Sequence, residues 1–255
     1  MGKIDDSLAK LERIEDKTER AFQLAGLIST LFKIKGLVLV VTGRLAFDLY
    51  ANAASKNPEL ELSPLNFKLT TRLLQEIMAG QLRARGLTTH WTVAGISVEF
   101  QSEMVTGLRG ACRDFMTDHG VAKLLPAEEL TAERIVASVY PVVDTEAQTQ
   151  VRLLLINALT RAFEMDWAVL QTLCHLPEYR VGEELSQVRA AAKRDVDSMG
   201  VVSDPMAELP GPVADVPPVE TPALGAETAP PPDETGKAKT KSAMEKAQDS
   251  ILGLE

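Results

Sequence analysis

A chain of 255 residues with 45% apolar side chains can bury a sizeable core, in one large domain or two small ones. Its formal net charge of -9 and its pI near 5.0 argue against a surface built throughout to grip nucleic acid, because phosphate contacts are made by lysine and arginine. Two distant cysteines, Cys112 and Cys174, and the scattered His90, His119 and His175 indicate neither a disulfide framework nor a histidine-based metal site.

The first segment, MGKIDDSLAKLERIEDK, is too charged for a signal peptide. No apolar run approaches the roughly 18 residues of a membrane span, so a cytoplasmic protein is expected. Ile4, Leu8, Leu11 and Ile14, then Leu24, Ile28 and Phe32, trace apolar faces that predict one or two helices packed on a core. Strands are predicted at LVLVV (37–41), THWTVA (89–94) and ISVEF (96–100), the last two joined at Gly95 as in a tight hairpin. Between them, FKLTTRLLQEIM (67–78) has helical period through Leu69, Leu73 and Ile77, with Ser63-Pro64 as a plausible start.

From Pro126 the pattern is helical: AEELTAERIVASVY, stopped by Pro141; TEAQTQVRLLLINALTRAF, capped by Asp144 or Thr145; DWAVLQTLCHL from Asp166; and a last helix from about Glu178 to Met199. Trp91 and Trp167 read as packing residues rather than base-stacking platforms, since no basic residues interleave with aromatics. Residues 203–235 hold nine of the fourteen prolines, with acidic residues between them and no aromatic, which reads as an extended, disordered linker. Beyond it, Met244, Ala247, Ile251 and Leu254 stand at helical spacing, and Met244, Ile251 and Leu254 are candidate contacts for a protein partner. The domains expected are an α+β unit over 1–125, a helical subdomain over 126–200, a linker over 201–240 and a short helix over 241–255.

LVLVVTGRLAFDLYANAA (37–54) reads as a buried strand turning at a glycine into a helix, a geometry that collects backbone N–H groups and a positive helix end at one point. It is neither a P-loop nor a dinucleotide fingerprint. The order VTGRLAFDLY (41–50), ISVEFQ (96–101) and KLLPAEELTAERI (123–135) resembles the minimal nucleotidyltransferase superfamily of bacteria and mobile elements, over about residues 20–195. That resemblance implies a small mixed sheet with flanking helices followed by a helical half. It also implies a site in which two carboxylates one residue apart on the second strand, and a third on a later strand, hold magnesium.

Matched to this pattern, the second strand falls on 67–78, where Arg72 and Leu74 stand in place of the acidic pair. Arg44 replaces the second glycine of the turn, and Glu99 alone matches an acidic position. Glu59 and Glu61, in PELELS, have the spacing that would restore the pair, against the plainer reading of a solvated, proline-flanked loop. Thr42, Gly43, Arg44, Lys68 and Arg72 are the candidate nucleotide contacts, with Arg83 and Arg85 extending a basic patch. The first functional reading is an inactive nucleotidyltransferase-like protein acting through a protein partner, with no cofactor expected. Its rival is an active enzyme that uses magnesium to transfer a nucleoside monophosphate to RNA, protein or a small molecule. Nucleic-acid binding without catalysis is the third.

Overall fold

The computed structural model describes residues 2–200, which fall within one compact unit. The linker and short helix expected over 201–255, with Met244, Ile251 and Leu254, fall outside the described residues. Two helices come first, α1 (Lys3–Glu12) and α2 (Lys17–Ile34). Asp16 starts α2 by accepting hydrogen bonds from Thr18 N (2.7 Å) and Glu19 N (3.0 Å), two of the amides that a helix start leaves open. The chain then crosses the core as β1 (Leu39–Thr42) and turns into α3 (Gly43–Ala51), which ends where Asn52 adopts the left-handed conformation.

Next come β2 (Glu59–Pro64) and α4 (Thr71–Leu74), the latter running into a π-helical turn over Gln75–Gln81. Strands β3 (Arg85–Leu87), β4 (His90–Val93) and β5 (Ile96–Phe100) form a meander, and β6 (Arg113–Thr117) and β7 (Gly120–Leu124) a hairpin. The remaining helices are α5 (Ala127–Val139), α6 (Thr145–Leu159), α7 (Trp167–His175) and α8 (Gly182–Ser198).

The sheet is mixed, in the order β3-β4-β5-β2-β1-β7-β6, with β2 at its centre, antiparallel to β1 and parallel to β5. Leu60 and Leu62 of β2 and Val98 and Phe100 of β5 are buried on one face, where α2 lies across them with Phe32 5.5 Å from the Phe100 ring. Ile135, Val151, Leu155, Leu170 and Val196 belong to a second buried cluster among the C-terminal helices. Tyr50 ties α3 to the end of the sheet by donating its hydroxyl to the Leu125 carbonyl at 2.9 Å, and Trp91 and Trp167 are both buried. This is the α+β arrangement expected, a small mixed sheet with flanking helices and a helical C-terminal half.

Three local expectations are corrected. PELELS is a strand and not a solvated loop: Leu60 and Leu62 alternate with polar residues at the period of a half-buried strand, and hydrogen-bonded neighbours on both sides hold it. The segment 67–78 is not a second strand, because Thr70 caps the following turn, its side chain accepting from Leu73 N at 3.3 Å, and the apolar period there is helical. Ser63-Pro64 ends β2 instead of starting that helix. The match of Arg72 and Leu74 to the acidic pair therefore fails, since neither lies on a strand.

Candidate active site

With Leu60 and Leu62 in the core, the strand period puts Glu59 and Glu61 on the opposite face of β2. In β5, Ile96, Val98 and Phe100 are buried, so Ser97 and Glu99 share that face. The parallel register sets Glu59 beside Ser97 and Glu61 beside Glu99, while Thr42 of β1 pairs with Glu61 and His90 of β4 with Glu99. A single row of polar side chains, Thr42, Glu61, Glu99 and His90, thus crosses four neighbouring strands. Glu59 adds a third carboxylate one step along, with Ser97 Oγ 3.4 Å from its Oε1.

Glu61 is bound to the turn at the end of β1. Thr42, at the N-cap of α3, makes no side-chain capping bond, and Arg44 N donates to Glu61 Oε1 at 3.3 Å instead. Gly43 makes this possible: its φ is +62°, and a Cβ there would lie 1.9 Å from Glu61 Oε1. Burial raises the Glu61 carboxyl above its ordinary range; the Arg44 amide opposes this, Glu99 and Glu59 add to it, and the Arg134 charge opposes it. Glu99 stands 3.5 Å from His90 Nε2 and accepts from Gln101 Nε2 at 3.4 Å.

The other candidates are placed as follows. Arg44 turns its guanidinium along α3 to Asp48 (2.9 Å) and to Glu146 of α6 (3.3 Å). Lys68 precedes α4, Arg72 lies on it, and neither lines the cleft beside Gly43. Arg83 pairs with Asp5 of α1 at 2.9 Å. That cleft, about 940 Å³, begins at Thr42, Gly43 and Glu61 and is walled by α5, with Tyr179 among the residues beyond.

The α5 wall presents Glu129, Glu133 and Ala137 at intervals of four residues, with Arg134 beside them. These residues were not singled out from the sequence, although that spacing in AEELTAERIVASVY was a readable signal. Glu133 is open to the cleft, yet the surrounding walls raise its carboxyl; the Arg134 charge opposes this, and Glu129 and Glu61 add to it.

The donor set of Glu59, Glu61 and Glu99 suits a hard divalent cation in type, being all oxygen, and in register, with two of the three side by side on adjacent strands. As placed, the carboxylates turn to separate partners, and among the described residues no three acidic, cysteine or histidine side chains gather closely enough to hold a metal ion. The strands set the backbones of Glu61 and Glu99 side by side, with Glu59 two residues before Glu61 on the same face.

No protein-family model matches the chain, and no curated protein matches it by sequence. Among solved structures it is similar to an antigenic nucleotidyltransferase-like protein from Paracoccidioides brasiliensis, at 15% identity and a TM-score of 0.43, over 69% of this chain and 94% of that one. It is also similar to the antibiotic-resistance factor ANT(2'')-Ia in solution, at 14% identity and a TM-score of 0.38, over 72% of this chain and 96% of that one. A crystal structure of ANT(2'')-Ia in complex with adenylyl-2''-tobramycin is similar at 14% identity and a TM-score of 0.37, over 66% and 94%. These are nucleotidyltransferase-like proteins; the three carboxylates, and not these distant likenesses, carry the functional reading. No helix among the described residues is long and apolar enough to cross a membrane.

Proposed function

We propose that the chain is a divalent-cation-dependent nucleotidyltransferase, moving a nucleoside monophosphate from a triphosphate to an acceptor. One observation carries this reading: Glu61 and Glu99 stand in register on adjacent parallel strands, with Glu59 one step away and the glycine turn of Gly43 against Glu61. The acidic pair that an inactive protein would lack is present in kind at Glu59 and Glu61. Glu59, Glu61 and Glu99 would hold the cation, which is magnesium on this reading. When bound, it neutralises phosphate oxygens and makes the phosphorus easier to attack.

The chain's own residues supply the rest. Gly43, without a side chain, leaves the turn open to close approach. Glu61, released from the Arg44 amide, leaves that N–H and the start of α3 free for a phosphate oxygen. An acceptor would lie further along the cleft, past α5 toward Tyr179. The test is label transfer from ATP, GTP, CTP and UTP with and without magnesium, on the wild type and on Glu61→Gln and Glu99→Gln. Magnesium-dependent transfer lost in both variants supports the reading, and its absence from folded wild type rejects it.

A second reading keeps the fold and drops the chemistry. It is favoured by the protein partners the carboxylates already have, Glu99 with His90 and Gln101 and Glu61 with the Arg44 amide. The chain would then act by binding a protein, with the segment after residue 240 as one contact. Partner capture that survives Glu61→Gln, with no transfer under any nucleotide, is the outcome that selects it.

A further inference from the structure

The geometry points to Arg134 as the side chain that receives the phosphates of a nucleoside triphosphate, in the cleft beside Gly43. This rests on the nucleotide-site reading above and gives it a residue that the sequence candidates did not include. Of those candidates, Arg44 is engaged by Asp48 and Glu146, and Lys68 and Arg72 lie outside the cleft. The start of α3, the other feature suited to a phosphate, is held by Glu61 through the Arg44 amide until that carboxylate is released, and it offers an N–H but no side-chain charge.

Arg134 differs on each count. It lines the same cleft as Thr42, Gly43 and Glu61, is half-buried on α5, and has no ion pair among the described residues. That is notable in a cleft also lined by Glu61, Glu129, Glu133 and Glu178. The Arg134 charge opposes the upward shift of the Glu61 carboxyl across the cleft lining and of its chain neighbour Glu133. A planar guanidinium is suited to a phosphate because its N–H fork matches two oxygens at once. The surrounding carboxylates repel a bare triphosphate, so Arg134 and a divalent cation have to work together.

Arg109 lines the cleft as well, but from an exposed loop, and its backbone N–H, not its guanidinium, makes the contact seen, with Glu129 at 2.6 Å. It is the natural internal comparison.

The test is calorimetric titration of the full chain with magnesium-ATP, with magnesium pyrophosphate as the phosphate-only probe and adenosine as the phosphate-free one. Arg134→Ala is expected to weaken both phosphate ligands by about tenfold or more, as loss of a charged hydrogen-bonding partner does. Adenosine binding stays as in wild type, and Arg134→Lys recovers part of the loss. Arg134→Lys, which keeps the charge and most of the stem, also serves if the alanine variant does not fold: weakened phosphate binding with unchanged adenosine binding supports the assignment.

Arg134→Ala binding magnesium-ATP within twofold of wild type overturns it, as does a wild type that binds neither phosphate ligand. Loss in Arg109→Ala with none in Arg134→Ala overturns it too. Phosphate binding that depends on Arg134 in a protein that transfers no label leaves this inference standing and removes the enzyme reading.

Discussion

Gly43 and Glu61 share one volume: a methyl group on the glycine would sit 1.9 Å from the Glu61 Oε1 atom that accepts the Arg44 amide. Gly43→Ala therefore carries two costs, the left-handed φ of +62° and eviction of the carboxylate. Together they should destabilise the fold by about 1–3 kcal/mol. In a Glu61→Ala background the steric part disappears, leaving about 1 kcal/mol from the backbone. Urea denaturation of the four proteins in the double-mutant cycle measures the coupling, and additive effects would show that the two residues do not meet.

Glu129 is buried and holds the loop before β6 by its Oε1, which accepts from Arg109 N at 2.6 Å and Gly110 N at 2.9 Å. Glu129→Ala leaves both amides without that acceptor and should cost about 2–4 kcal/mol, while Glu129→Gln, which keeps a carbonyl oxygen, should cost less. Amide exchange at Arg109 and Gly110 should quicken in the alanine variant. Unchanged exchange there would mean that the loop is held by other contacts.

Glu133 sets a pH trend whose sign follows from its raised carboxyl. The cleft walls around it raise its carboxyl above the ordinary value of 4.5, so the folded state holds the proton more tightly than the unfolded chain does. Stability from this group is present below 4.5 and falls as pH rises from there through the folded value, where it levels off. Glu133→Gln removes that fall. Its melting temperature should exceed that of the wild type at neutral pH, and the gap should narrow as the buffer is taken below about pH 4. A gap independent of pH would assign the effect to packing instead.

Cys174 is buried in the helical half, and burial pushes its thiol up to about 12. Thiolate is then scarce at pH 8, and alkylation of the native protein should be slow at Cys174 and become rapid once denaturant exposes it. Cys112, half-buried and raised for the same first reason, should react ahead of it. Mass spectrometry of peptides from a timed iodoacetamide reaction distinguishes the two. Prompt native labelling of Cys174 would indicate frequent opening of the helices around it.

Elements whose pattern is local were legible in the sequence. β1, β5 and the hairpin at Gly95 follow from apolar runs and a turn residue, and the caps at Asp144 and Asp166 marked α6 and α7. β2 was harder, because six residues with two glutamates and two leucines look like a loop until their neighbours β1 and β5 are known. The β6–β7 hairpin was missed outright: RDFMT has only half-buried and exposed positions, so no strong alternation marks it. For the site, the glutamates were visible as a pair, but the pairing of Glu61 with Glu99 depends on a strand register formed between residues 38 positions apart. Arg134 was hidden for a different reason, since a charged residue on a helix declares its cleft only when the opposite wall is in place.

β2 is the central strand, bonded on both edges, and it bears two of the three carboxylates. The part of the protein that would touch a reacting phosphate is therefore also the part whose backbone has least freedom to drift. By contrast, α5, α7 and the loop before β6, which line much of the cleft, are not strands of the sheet. Outside anchoring residues such as Glu129 and Arg134, a substitution there leaves the strand register of the acids untouched. If the chain transfers a nucleotide, the acids and the acceptor wall would thus be separable by substitution, the first fixed by strand pairing and the second set by side chains on helices and a loop.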